Sequence, residues 1–546
     1  MANEVFINVG VILGIATVSG LIARLLKQPL LVAFIIIGIL VGPSALGIVV
    51  PSGEIELFAR LGIALLLFVV GLKLDLQVIR TVGPVALASG LGQVFFTTVI
   101  GFALALLLGM GTTEALYVAV ALTFSSTIII VKLLSDKREV DALHGRIAIG
   151  FLIVQDIVVV LVMIMLTAFG STSGSVNIGA EVLSIAGKGL LMVLTVYLMM
   201  RWVLPALLPR LAASSELLVL FAIAMAVLGG AAGAALGFSK EVGAFLAGVS
   251  LASTPYREQI AARLVTLRDF LLLFFFIELG ATINLDYLGA QLPSALLLSI
   301  FVLIGNPIIV MTIMGWMGYR KRTGFLAGLT VAQISEFSLV LAALGYSLGH
   351  LSEEIVGLIA LVGLITISGS TYMILYSHVL FERLSPYLSL FERNTPFREQ
   401  VAGGEPVKAP DIILVGHGRY GRSIAHQLHQ QGYQLLVVEM DADKVKLHQE
   451  NAYSIAYGDA SDEEFLSTLP LDEAKWLVCT IREGSVTKLM RASLDRLGHR
   501  CKLAMTSPSE MLATKQSEEG IDLILTPYTD AASAATKHVA NMIRAN

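Results

Sequence analysis

From Val5 to about Leu380 the chain runs through thirteen apolar stretches, and that repetition leaves few folds open. A bilayer core about 30 Å thick takes roughly 20 apolar residues as a helix, and a helix satisfies its own backbone polar groups where water is absent. Approximate limits are 5–24, 30–49, 56–73, 82–108, 113–134, 145–169, 177–201, 215–236, 240–254, 265–283, 290–317, 322–348 and 354–380. Charge agrees with this reading. Only 14% of the 546 residues are charged, against about 25% in soluble proteins. Charge is sparse up to Tyr376 and ordinary after Pro410. The fold predicted is a multi-span α-helical membrane domain over 1–381, a linker over 382–409 and a soluble α/β domain over 410–546.

The loops orient the helices. Connections after odd-numbered segments carry Arg24, Lys27, Lys73, Arg80, Arg201, Arg210 and Arg320 to Arg322. Those after even-numbered segments carry Glu54, Asp286, Glu353 and Glu354, with Lys240 the basic exception. The positive-inside rule puts the odd-numbered C-terminal ends in the cytoplasm. The N-terminus is then outside and the soluble domain cytoplasmic, in a cell's inner membrane. The first apolar run lacks a basic n-region before it and reads as a span, not a cleaved signal.

Asp156 is the one charged side chain in the run from Ile147 to Phe169. A carboxylate near mid-membrane costs about 2.5–3.5 kcal/mol on insertion scales, so it marks a proton or cation site. Proton and cation displace one another there. The bland alternative is a structural carboxylate paired with a base, and Lys188 is the main base within the spans. Gln155 offers an amide oxygen to a cation or a bond between helices. Two spans carry polar interruptions: Thr123 to Thr127, with Ser125 and Ser126, and Thr330 to Glu336, with Gln333. Such side chains stabilise local unwinding, which survives in lipid only where protein or a cavity covers it. Segments 5 and 12 cross in opposite directions, so the pattern predicts inverted repeats with two broken helices around a mid-membrane ion site. Ser125, Ser126 and Thr127 are either ion ligands or caps. Glu336 is read as support for the second break.

After the linker, Asp411 to Val415 reads as a strand, followed by Gly416-His417-Gly418-Arg419-Tyr420-Gly421 opening a helix and a second strand ending at Glu439. Gly-x-Gly-x-x-Gly alone is a weak signal. In a strand–turn–helix setting with an acid downstream it is the dinucleotide fingerprint. Its N–H groups face phosphates, and Glu439 is placed to accept ribose hydroxyls. Further strands are expected at 453–456, 476–479, 502–505 and 523–525, giving one Rossmann unit. With Asp459, Ala460 and Thr480, this is the candidate cofactor site. The ligand is an adenine nucleotide: AMP, ATP or NAD(H). No substrate domain follows, so the unit reads as a sensor and not an enzyme.

A net charge of −4 argues against nucleic acid. Two cysteines, Cys479 and Cys501, without metal-site spacing fit a reducing compartment and no bound metal. Thr81-Val82-Gly83-Pro84 begins like a potassium filter but lacks the Tyr-Gly and a pore-loop setting.

Together these residues resemble the cation:proton antiporter-2 family, Kef-type. The resemblance rests on Gln28-Pro29, Gly38 to Ser44, Leu65 to Phe68, Gly71 to Asp75, Ser125 to Thr127, Gln155-Asp156, Gly243 to Gly248 and Gln333 to Phe337. The C-terminal unit resembles an RCK (TrkA-N) nucleotide-binding half, including Gly458-Asp459-Ala460. The resemblance implies thirteen helices, a homodimer, and Gln155-Asp156 as the ion-site pair. Electrogenic relatives have two acids there and a lysine in the helix matching segment 11, where this chain has Gly305-Asn306-Pro307. Asn306 then replaces that lysine. A second RCK lobe is not found, so glutathione does not transfer as a ligand.

The reading is a monovalent cation/proton antiporter, potassium first and sodium second, electroneutral because one acid titrates. An accessory cytoplasmic subunit is left open. A ligand-gated channel predicts currents far above carrier turnover, and an NAD-dependent redox enzyme predicts nicotinamide turnover.

Overall fold

The structure is a computed structural model that describes residues 2–43, 45–47, 53–73, 76–137, 139–140, 142–170, 178–281, 285–393, 409–439, 453–458, 460, 463–466, 469–481, 490–491, 494, 501–507 and 521–545. Two compact units make up the chain: Met1–Val140, Arg146–Met314 and Gly324–Ser389 in the first, and Asp141–Gly145, Gly315–Thr323 and Leu390–Asn546 in the second.

Over the described residues each apolar segment is mainly helix. In order these are α1 (Ala2–Leu25), α2 (Leu30–Val41), α3 (Gly53–Lys73), α4 (Leu76–Leu107), α5 (Thr112–Ala121), α6 (Thr127–Asp136), α7 (Leu143–Gly170), α8 (Ile178–Leu198) and α9 (Leu204–Leu211). Then come α10 (Ser215–Ala235), α11 (Lys240–Ala252), α12 (Arg257–Ala281), α13 (Leu285–Ile300), α14 (Asn306–Trp316), α15 (Lys321–Leu329), α16 (Glu336–Ser347), α17 (Glu353–Leu375) and α18 (Ser377–Leu388). Among the described residues, seven helical stretches have the length and apolarity to cross a bilayer. The chain is a multi-pass membrane protein.

Segments 5 and 12 are each split in two, at 122–126 and 330–335, where the polar clusters lie. Segments 7 and 11 contain wide π-helical turns at Met199–Val203 and Phe301–Gly305. Each turn is followed within two residues by a proline, Pro205 or Pro307. Proline has no N–H for the carbonyl one turn back, and the wider turn absorbs that mismatch.

α3 packs against α11 and α12, α2 against α12, and α10 against α11. A Cβ on Gly248 would land on the carbonyl oxygen of Phe68, and one on Gly71 on that of Phe245. The two backbones meet without side chains between them, as small residues permit in membranes. Around the breaks, α5 packs on α4, α16 and α17. α18 continues past residue 381, where the linker was expected to begin. The rest of the expected linker, 394–408, and Asp75 lie outside the described residues.

The C-terminal part holds a six-stranded parallel sheet, in the order β3-β2-β1-β4-β5-β6. The strands are β1 (Ile412–Val415), β2 (Leu435–Glu439), β3 (Ser454–Tyr457), β4 (Trp476–Cys479), β5 (Lys502–Thr506) and β6 (Leu523–Leu525). β1 pairs with β2 on one side (Ile413 with Leu436) and β4 on the other (Ile413 with Leu477). Strand order reverses there, which is where ligands bind in doubly wound sheets. α19 (Arg419–Gln430) follows β1 directly.

Candidate functional site: a carboxylate beside two broken helices

α7 carries Gln155 and Asp156 toward the first break. Thr127, the first residue of α6, donates its hydroxyl to Asp156 Oδ2 at 3.0 Å. Ser126 caps α6, its Oγ accepting from Ile129 N at 3.3 Å. Gln155 Oε1 accepts from Ser125 N at 3.1 Å, so its amide oxygen serves the unwound backbone. Ser125 Oγ is buried without a hydrogen-bond partner among the described residues. The N-termini of α6 and α16 open from the breaks, and helix N-termini carry partial positive charge.

The second break is held from several sides. Ser335 Oγ caps α16 by accepting from Phe337 N at 3.1 Å. Ser338 donates across to Ala121 O at the end of α5, 2.6 Å away. Gln333 Oε1 accepts from Ser370 at 2.6 Å, while its Nε2 has no partner among the described residues. Glu336 opens α16, 4% exposed, with Oε2 likewise unpartnered.

Asn306 joins the two breaks. Its Nδ2 donates to Leu122 O at 3.2 Å and Val331 O at 3.4 Å, and its Oδ1 accepts from Thr97 at 2.9 Å. Two residues that sequence reasoning missed complete the network. Gln93 Nε2 donates to Thr97 Oγ1 and to Thr123 O, both at 3.1 Å, and its Oε1 accepts from Gln155 Nε2 at 2.7 Å. A relay of neutral groups therefore runs Gln155–Gln93–Thr97–Asn306. The one signal available was the spacing of Gln93 and Thr97, four apart on one face of α4. Among the described residues no cationic side chain pairs with Asp156. Lys188 is exposed, with its Nζ beside Gly237 instead.

In the C-terminal α/β domain, Gly416 adopts φ +95°, a conformation side chains disfavour. A Cβ on Gly421 would strike Gly416 O. Thr480, just past β4, donates to Val415 O at 3.0 Å and Gly416 O at 2.9 Å, fixing the turn. Gly418 is the N-cap of α19 and Arg419 its first residue. Glu439 Oε2 accepts from His417 N at 2.6 Å, and His417 Nε2 bonds the Tyr453 hydroxyl at 2.9 Å. Ala460 is buried in the core behind β3. Asp459 lies outside the described residues.

Comparison with known proteins fits this architecture. Residues 12–375 match the model of the transmembrane sodium/hydrogen exchanger family, and residues 412–527 match the TrkA-N domain. YbaL of Escherichia coli (strain K12), a candidate cation/proton antiporter, is 30% identical over 86% of this chain and 85% of its own length. K(+) efflux antiporter 5 of Arabidopsis thaliana is 31% identical over 61% of this chain and 59% of its own. The sodium proton antiporter MjNhaP1 from Methanocaldococcus jannaschii shares the fold, with a TM-score of 0.52 at 17% identity, covering 71% of this chain and 99% of that one. The chain belongs to the sodium/hydrogen exchanger family and is a cation/proton antiporter whose sequence continues, after the membrane helices, into a TrkA-N domain.

Proposed function

We propose that the chain exchanges potassium for protons one for one, with Asp156 as the shared carrier. The observation that carries this is the setting of Asp156: beside a broken helix, bonded to Thr127, and facing no paired cation among the described residues. A lone acid binds either a proton or a cation and returns with the other, so no net charge crosses. Thr127, Ser125 and Ser126 supply oxygens around it. Gln155, Gln333, Glu336 and Asn306 hold the breaks. Potassium is preferred because relatives at 30–31% identity over part of the chain are named for potassium efflux. Sodium is the alternative outcome of the same assay.

We assign the membrane domain to 1–381, the linker, which begins with the second half of α18, to 382–409 and the regulatory domain to 410–546. The regulatory domain binds an adenine nucleotide, AMP, ATP or NAD(H), through Gly416 to Gly421 with Glu439, Asp459, Ala460 and Thr480. It works as a homodimer in the inner membrane, N-terminus outside and C-terminal domain cytoplasmic, with an accessory subunit as a possible partner. The test is proton flux in proteoliposomes with potassium, sodium or rubidium on one side. Asp156→Asn keeps the volume and cannot exchange a proton, so cation-driven flux should vanish while the protein remains folded. Persisting flux would remove Asp156 from the role.

A further inference from the structure

The half-helix that presents Thr127 to Asp156 is anchored at its other end by a small polar cluster. Lys137 is the C-cap of α6. Its ammonium donates to Ser377 Oγ at 2.7 Å and lies 3.0 Å from Glu139 Oε1. The same oxygen meets His378 Nε2 at 2.7 Å. The side chains of Lys137 and Glu139 are 14% and 16% exposed, and Ser377 is buried. Water therefore screens the Lys137–Glu139 pair less than an ordinary surface pair, and the His378 contact, with its side chain 34% exposed, more than that pair. A cation at a helix C-terminus also complements the helix dipole.

Ser377 and His378 are the first two residues of α18, past a kink at Tyr376 (φ −105°, ψ 21°). Among the described residues α18 is the last long helix before the C-terminal domain. α6 is ten residues long, a rod of about 15 Å. One end touches the carboxylate and the other is tied to α18. A hydrogen bond of 3.0 Å is lost with a displacement of well under 1 Å, so movement at the tied end reaches Thr127.

We propose that Lys137, Glu139 and His378, with Ser377, form a joint through which α18 positions Thr127 against Asp156. They are positioning residues, and the proposal rests on Asp156 being the exchange site. It gives the segment leading to the C-terminal domain a mechanical route to the ion site.

The test uses the full-length chain in proteoliposomes. Glu139→Gln should raise the apparent KM for potassium by about fivefold or more, the low end of ordinary coupling between sites, with a smaller change in kcat. His378→Gln keeps an N–H donor and should stay near wild type, whereas His378→Phe should match Glu139→Gln. In a Thr127→Val background, Glu139→Gln should add no further change. Multiplying effects in the double variant, or a wild-type KM in Glu139→Gln, would overturn the joint. Amide exchange over residues 127–136 in the same protein gives a readout independent of transport. It should quicken in Glu139→Gln and His378→Phe but not in His378→Gln, and unchanged exchange also overturns the proposal. The reading of Asp156 fails separately, by cation-driven flux surviving in Asp156→Asn.

Discussion

Asn306 illustrates how one side chain decides a site. Its amide meets two carbonyls from two different broken helices and a hydroxyl from a third element. Asn306→Leu has similar bulk but leaves those groups buried and unmet, at about 1–3 kcal/mol for each one orphaned. The variant should melt earlier in detergent and lose flux; an unchanged melting temperature would mean the amide pins nothing. Asp156 was legible in the sequence because a charge in lipid is expensive and stands out against an apolar run. Gln93 and Thr97 were not. Neutral polar side chains are cheap enough within a span to pass for ordinary contacts between helices, and only the fold brings them to Asn306. For Gln155 the sequence left two roles open, and its Oε1 bonds the Ser125 amide.

At the scale of elements, the breaks were legible because Ser, Thr and Gln clusters compete with helical hydrogen bonds. Ser126→Ala removes the cap of α6 and should cost about 1 kcal/mol, seen as faster amide exchange in its first turn. The six strands were legible from apolar runs bounded by Gly, Asp and Pro. The π-helical turns were not, since Pro205 and Pro307 signal disruption without saying how the backbone absorbs it. β4 offers a prediction of its own. Burial pushes the Cys479 thiol up to about 11, only partly offset by the Ile481 N–H. The thiolate is the reactive form, and its fraction grows as pH rises through that value. Folded protein at pH 8 should therefore resist iodoacetamide at Cys479, while unfolded protein labels quickly. Mass spectrometry of the alkylated peptide distinguishes the two, and fast labelling in the fold would mean β4 opens.

For the whole molecule, exchange and regulation make separate demands. On the proposed exchange through Asp156, with no cation paired to it among the described residues, transport should ignore membrane voltage at zero pH gradient. A steady current on solid-supported membranes that reverses with voltage would require a second titrating group, Lys188, Glu336 or another. Regulation requires the nucleotide to bind two transport states unequally, because a ligand shifts an equilibrium only by its difference in affinity. The glycine turn is already shaped by Thr480, and Glu439 already occupies the His417 N–H. A carboxylate at that position suits ribose hydroxyls and repels a 2′-phosphate, so NAD should bind more tightly than NADP. Gly418→Asp places a negative charge at the N-terminus of α19, where a phosphate would sit, and should abolish binding. The flux change with saturating nucleotide should fall within about 5–150-fold, the range of 1–3 kcal/mol couplings. Calorimetry and flux on the same full-length protein test both halves. Binding that leaves flux unchanged would keep the site and discard its regulatory role, and absence of binding by AMP, ATP and NAD alike would leave the glycine turn as scaffold alone.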